Sequence, residues 1–147
     1  MTQKKEKITS IIQSKSFCAF IHNHGTIYPG AKWVPCCRSY GRFKGESIPV
    51  KSMTYEQYIN TNFIKKINAG MEKNQPHKFC EPCFIPESKG LKSQREINNQ
   101  NLQRLINDEN LEDEFLNRWE KYKTTGNITG SPIIGNCILI IPVKPDV

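Results

Sequence analysis

The sequence contains no long hydrophobic run. Its longest apolar stretch, residues 137–141, is far shorter than the roughly 20 residues that cross a bilayer, so we expect no transmembrane helix and no membrane partner. The charged residues Met1–Lys7 are not followed by an apolar segment, which predicts no secretory signal and a cytoplasmic location. In that reducing compartment a cysteine-rich chain is more often a metal protein than a disulfide scaffold.

The common catalytic signatures are also missing. No G-x-x-x-x-G-K-[ST], G-x-S-x-G or H-E-x-x-H pattern occurs, and we predict no catalytic residue. Acidic residues are outnumbered, because 21 Lys and Arg against 14 Asp and Glu give a net charge of +7. Such a charge attracts phosphates, acidic peptides and nucleic acid without selecting among them. Arg38, Arg42, Lys44 and Lys51 form a basic loop that either grips such a partner or is simply solvated.

The chain is unusually rich in cysteine. Cys18, the pair Cys36 and Cys37, and the C-x-x-C of Cys80 and Cys83 lie within one part of the sequence. Thiolates are soft ligands for iron and zinc, and a C-x-x-C turn presents two of them to one centre. These residues predict a four-thiolate site for an iron-sulfur cluster or for zinc, and unrelated buried or surface cysteines are the simpler alternative.

Other residues near these cysteines allow two interpretations. His22 and His24 would point to one side of a strand, where they either bind a metal or make ordinary polar contacts. His77, beside the C-x-x-C, has the same two interpretations. We interpret the sixth cysteine, Cys137, as a buried strand thiol.

The pattern of the chain indicates an α+β fold, in which a small β-hairpin is followed by helices around a cysteine-ligated metal cluster. Turn residues separate two β-prone runs, and the pairing of Thr54 with Gln57 is a capping box that opens an amphipathic helix ending at Gly70. A strand with nothing to pair against is expected at the end of the chain. The predicted strands are 17–21, 32–36 and one within 132–147. The predicted helices are 54–70, 91–107 and 111–122, the last capped by Asn110. A loop is expected at 74–87 and a linker at 124–131.

Several segments together resemble the SPASM/twitch module of radical S-adenosylmethionine (radical SAM) enzymes. They are Phe17-Cys18, the hairpin segment 28–37, an amphipathic helix, the segment Phe79–Cys83, and the basic helix start 90–95. The resemblance covers residues 16–100. It implies an auxiliary 4Fe–4S cluster bound by Cys18, Cys36, Cys80 and Cys83.

The hairpin departs slightly from the family pattern, in which four residues separate a glycine from the ligand cysteine. Gly30 precedes Cys36 by one residue more, and Ala31 stands where the glycine would be, so the resemblance leaves Cys36 and Cys37 both open as ligands. It implies a cluster-binding domain (16–100), and around this domain we expect a polar N-terminal segment (1–15), a helical extension (101–123) and a linker with a short C-terminal strand, complete or truncated (124–147).

The chain lacks the C-x-x-x-C-x-x-C motif with which radical SAM enzymes bind their catalytic cluster. The resemblance therefore implies a protein that is not catalytic alone but serves in electron relay or substrate docking, or keeps the cluster as a structural staple. Its expected partners are a radical SAM enzyme or a peptide substrate. The alternative is a zinc-stapled basic module that binds nucleic acid, and a third interpretation is a nonfunctional remnant whose C-terminal tail does not pack.

Overall fold

A computed structural model describes residues 2–37 and 48–138, with only the backbone for 135–138, and it has the expected α+β architecture. The described helices are α1 (Gln3–Gln13), α2 (Ala19–Asn23), α3 (Tyr55–Ile59), α4 (Asn62–Glu72), α5 (Glu81–Ser88), α6 (Gln94–Asp108) and α7 (Glu112–Thr125). The strands are β1 (His24–Tyr28), β2 (Lys32–Val34), β3 (Ile48–Pro49) and β4 (Gly135–Ile138), and 3-10 turns cover Val50–Ser52 and Lys78–Cys80.

The four described strands form one sheet in the order β3-β2-β1-β4. β1 and β2 form an antiparallel hairpin, with Tyr28 opposite Lys32, in which only the second strand is the one that the sequence predicted. The turn between them carries Gly30 and Ala31 with positive φ angles of 89° and 55°. Glycine adopts this conformation without the Cβ clash that other residues meet, which explains Gly30 but makes Ala31 an exception.

The first predicted strand, 17–21, is wrong. Residues from Ala19 form α2 instead, and the strand that pairs with β2 begins later, at His24. The Ala19 N–H donates to the side chain of Asn99 at 2.8 Å, and the His22 N–H donates to the Cys18 carbonyl at 3.0 Å. These hydrogen bonds satisfy backbone N–H groups in the first turn of α2, and the bond to Asn99 is a tertiary contact. Tertiary contacts here override the β propensity of Phe and Ile.

The predicted helix from Thr54 to Gly70 is two helices. Its capping box is confirmed, because Thr54 and Gln57 bond each other's backbone N–H groups. The chain then breaks at Asn60, whose side chain bonds the main chain of Ile128 in both directions. Thr61 caps the new helix α4 by accepting from the Ile64 N–H. A side chain tied to a distant segment thus ends α3 early.

The predicted loop at 74–87 is largely helical. The 3-10 turn Lys78–Cys80 continues directly into α5. Pro82 lies at the start of α5, where a missing N–H costs nothing because that position has no intrahelical partner. Pro82 was therefore a helix-start signal rather than a loop signal, and Pro86 lies inside α5.

The other two predicted helices are confirmed as α6 and α7, with one cap misassigned. Asn110 does not cap α7; it follows α6 in a left-handed conformation with φ 55°, while the Leu111 N–H bonds the Ile106 carbonyl. This is a Schellman ending, in which Asn is a common substitute for glycine. The short connection between α6 and α7 therefore caps the C-terminus of α6 rather than the N-terminus of α7.

The C-terminal strand is confirmed, but the expectation that it has nothing to pair against is wrong. β4 pairs in parallel with β1, from His24 opposite Gly135 to Ile27 opposite Ile138. The hairpin leaves one edge of β1 open, and β4 fills it. The remainder of the tail, from 139, lies outside the described residues, as does the burial of the Cys137 side chain.

The core has two clusters, and Trp119 packs against both. One forms between the hairpin and α3, α4 and α7; the other is formed by α1, the start of α2, α6 and α7. In the second, Ile8 and Ile12 of the polar-looking N-terminal segment are buried, one helical turn apart. No helix in the described part of the chain is both long and apolar enough to span a membrane.

Candidate metal centre

Cys18 occupies the short connection between α1 and α2, at the edge of the first core cluster. The buried Asn99 side chain holds this connection. Its amide nitrogen donates to the carbonyls of Ile12 and Phe17, and its oxygen accepts from the Ala19 N–H. The backbone on both sides of Cys18 is therefore fixed from α6.

Cys36 and Cys37 follow β2 directly and are both half-buried. The position of β2 is set on both sides, because Trp33 lies opposite Ile27 of β1 and Ile48 of β3. The Trp33 indole N–H also donates to the Met53 carbonyl at 3.0 Å. The strand thus delivers Cys36 at a defined point beyond its end.

Cys80 and Cys83 lie where the 3-10 turn becomes α5. His77 organises the approach to this turn: its ring nitrogen Nδ1 accepts from the Phe79 N–H at 3.3 Å, and its carbonyl accepts from the Cys80 N–H at 2.7 Å. Its ring also stacks on that of Phe79, with 4.9 Å between centroids. His77 therefore contacts the turn directly.

Three of the four predicted ligands lie near enough to the fourth, Cys80, to affect its thiol. Burial raises the pKa of the Cys80 thiol well above its usual range, and the nearby thiols of Cys18, Cys36 and Cys83 raise it further because thiolates repel one another. Burial likewise raises the pKa of Cys18 to about 11, and Cys83 contributes in the same direction. Four cysteines from three distant segments thus influence one another.

Of the vicinal pair, Cys36 contributes to the raised pKa of the Cys80 thiol. All five cysteines whose side chains the structure describes are thiols rather than disulfides. In ranges 2–37 and 48–138, no three His, Cys, Asp or Glu side chains are grouped as the ligands of a metal ion.

The donor set fits a metal or cluster in its chemistry. Partly buried thiols stay protonated by themselves, and a metal binds them by replacing those protons with its own positive charge. One cation already acts on the site: the Arg95 guanidinium lowers the pKa of Cys18 and of Cys80 against the larger effect of burial.

The two histidines of the predicted strand are not on one face of a strand. His22 is in α2, and His24 begins β1. Both are buried among aromatic rings, with His22 stacked on Phe17 and His24 stacked on Phe20. Neither histidine lies on the surface, and His22 makes the kind of polar contact that was expected, because its Nδ1 bonds the main chain of Cys18.

Most of the predicted anion-binding loop, with Arg38, Arg42 and Lys44, lies outside the described residues. The fourth basic residue, Lys51, is exposed in a 3-10 turn.

Sequence reasoning missed the polar residues that hold the site, namely Glu87 and Asn99, and it noted Arg95 only as part of a basic helix start. Arg95, Asn99, Leu102 and Ile106 follow one another at helical spacing, and all are buried. Polar residues in line with an apolar stripe were the signal that could have identified them.

Comparison with known proteins adds no relative: no protein-family model, no curated protein and no solved structure matches the chain.

Proposed function

We propose that this chain binds a 4Fe–4S cluster through Cys18, Cys36, Cys80 and Cys83 and acts as an accessory protein of a radical SAM system. The observation that supports the proposal is that the thiols of Cys18, Cys36 and Cys83 each raise the pKa of the Cys80 thiol, although these residues come from three segments separated by the hairpin and by α3 and α4.

The role of the chain would be electron relay or the docking of a peptide substrate. A bound cluster accepts and donates single electrons, and its potential depends on burial and nearby charge. Here the four cysteines would hold it, the first core cluster would shield one side from water, and Arg95 would supply positive charge. The absence of a C-x-x-x-C-x-x-C motif assigns the radical chemistry to a partner enzyme.

The deciding experiment measures iron, acid-labile sulfide and zinc in protein expressed and purified without oxygen. We expect near-stoichiometric cluster iron and sulfide and a brown protein. Zinc without sulfide, together with salt-dependent nucleic-acid binding, would instead support a zinc-stapled basic module. Neither metal would support a remnant without a metal centre.

Two adjacent cysteines provide a matched pair of variants. Cys36→Ser should lose most of the iron and sulfide, because Cys36 acts on Cys80 in the folded chain. Cys37→Ser changes the same atoms one residue further along and should retain the cluster. The double variant Cys80→Ser/Cys83→Ser should lose it entirely and become more sensitive to proteases at residues 71–90. Equal loss in Cys36→Ser and Cys37→Ser would contradict the assignment of the ligand.

A further inference from the structure

Arg95, near the start of α6, has its side chain almost fully buried beside the cysteine site, at 5% exposure. Its guanidinium forms an ion pair with Glu87 through two nitrogens, with Nε at 3.2 Å from one carboxylate oxygen. Its Nη1 donates to the main-chain carbonyls of Phe17 at 2.6 Å and of Ser14 at 3.2 Å. One side chain thus joins α5, α6 and the connection after α1.

The groups that Arg95 contacts flank two of the proposed ligands. Phe17 directly precedes Cys18. On the other side, the guanidinium carbon lies 4.8 Å from the ring centroid of Phe84, which directly follows Cys83. The Arg95 guanidinium therefore contacts both Phe17, beside Cys18, and Phe84, beside Cys83. It bridges two segments that are far apart in the sequence.

We propose that Arg95 is a positioning residue for the cysteine site, which sets the separation of Cys18 and Cys83, and that Glu87 orients it. For metal binding this inference rests on the proposed function, but the positioning itself concerns the protein without metal. The planar guanidinium, with five donors in a fixed fork, can serve the carboxylate and the carbonyls at once. A lysine has one charged nitrogen and cannot reproduce this geometry.

The first test measures positioning in the reduced, metal-free full-length chain. A short bifunctional thiol reagent is applied, and mass spectrometry gives the yield of peptides joined through Cys18 and Cys83. The yield of the Cys80–Cys83 product serves as the internal reference, because that pair is held by its own turn. We expect Arg95→Met to lower the ratio of the two yields by about tenfold, in line with the usual effect of residues that support a ligand shell.

A second buried arginine provides the control for general loss of stability. Arg118 is also buried and also donates to main-chain carbonyls, those of His22, Thr129 and Ser131. Arg118→Met should destabilise the chain but leave the Cys18–Cys83 ratio unchanged. Arg95→Lys should restore the ratio only in part. If Arg95→Met does not fold, Glu87→Gln is the variant to test instead. It leaves Arg95 bonded to the Phe17 carbonyl and should therefore lower the Cys18–Cys83 ratio by a smaller factor.

The second test measures the affinity of the same variants for Zn²⁺ alone, by competition with a chelator. Arg95→Met should weaken binding by about 10 to 100-fold, and Arg118→Met should not. An unchanged cross-linking ratio in Arg95→Met, or an equal loss in Arg118→Met, would overturn the inference. If the wild-type chain holds no cluster and binds no zinc, the proposed function fails while the cross-linking ratio still decides whether Arg95 positions the thiols.

Discussion

His22 shows how strongly a single position is controlled by its surroundings. Its side chain is 3% exposed, and its ring lies against Phe17 with edge contacts to Trp119 and Tyr122. Burial lowers the pKa of His22 to about 4 from its ordinary 6.5, and the charge of Arg118 acts in the same direction. The folded chain therefore holds a neutral imidazole at pH values where the unfolded chain binds a proton.

This difference predicts a loss of stability in mild acid for the metal-free protein. The contribution is fully present above the unfolded pKa of about 6.5 and declines as the pH falls towards the folded pKa of about 4. Between pH 7 and pH 5 we expect the free energy of unfolding to drop by about 2 kcal/mol, measured by urea titration at both pH values. His22→Asn should remove most of this dependence. A variant that declines as steeply as the wild type would show that other groups are responsible.

Ala31 is the residue at which the hairpin turn stores strain. Its φ of 55° lies in the left-handed region, which costs a non-glycine residue about 1 to 2 kcal/mol. Ala31→Gly should therefore raise the free energy of unfolding by roughly 0.5 to 1 kcal/mol, after the greater flexibility of glycine in the unfolded chain is subtracted.

The same substitution inside a helix provides the control. Ala69 lies in α4, where Ala69→Gly should lower the free energy of unfolding by about 1 kcal/mol. Opposite signs for the two variants, measured by urea titration, are the expected result. A loss of stability in both would mean that the turn tolerates alanine without strain.

At the scale of elements, α4 and the approach to the C-x-x-C meet at Gly70. A Cβ atom at this position would lie 2.7 Å from the main-chain oxygen of Gln75, and the Gln75 N–H bonds the Gly70 carbonyl at 2.8 Å. The chain therefore folds back over α4 at a point where there is space only for glycine.

Gly70→Ala should consequently lower the free energy of unfolding by about 1 to 3 kcal/mol, although alanine is the better helix former. The backbone atoms of Gln75 cannot turn away as a flexible side chain would. Thermal or urea unfolding measures the effect, with Lys66→Ala on the exposed face of α4 as a near-neutral control. A Gly70→Ala variant that is more stable than the wild type would mean that the segment after α4 yields easily.

The elements that the sequence predicts well are those with local signals. The capping box at Thr54 and the apolar stripe of α7 lie within one helical turn or face, and both are present in the structure. The errors have distant causes: Asn99 turns a β-prone segment into α2, and Asn60 divides one helix into two through the main chain of Ile128. Such contacts leave no periodic signal in the sequence.

The candidate site, too, is predicted only in part by the sequence. The cysteine spacing identifies the ligand candidates, because thiol chemistry depends on residue type. Their convergence depends on how β2, α2 and α5 are arranged, and on the ion pair of Arg95 with Glu87, which joins two helices and leaves no signal in the cysteine spacing. The sequence alone therefore suggests which residues bind, whereas the structure indicates what holds them in place.

At the scale of the whole molecule, Arg118 connects parts that no local signal links. From α7 it donates to the His22 carbonyl at 3.1 Å, to the Tyr55 hydroxyl at 3.0 Å, and to the carbonyls of Thr129 and Ser131. The last two bonds hold the chain just before β4, the strand that completes the sheet beside β1. One guanidinium therefore joins α2 and α3 to the segment that precedes the C-terminal strand.

Removal of this guanidinium should loosen the C-terminal strand first. Arg118→Met leaves the buried His22 carbonyl and Tyr55 hydroxyl without this donor, and we expect a loss of about 3 kcal/mol in the free energy of unfolding, measured by urea titration. Hydrogen exchange should accelerate most in β4 and in the β1 amides that face it, because β4 would lose the segment that anchors it. Lys121→Met, on the exposed side of α7, should change neither quantity. Uniform acceleration throughout α6 and α7, with no preference for the β1 and β4 edge, would show that Arg118 supports the helices rather than the sheet.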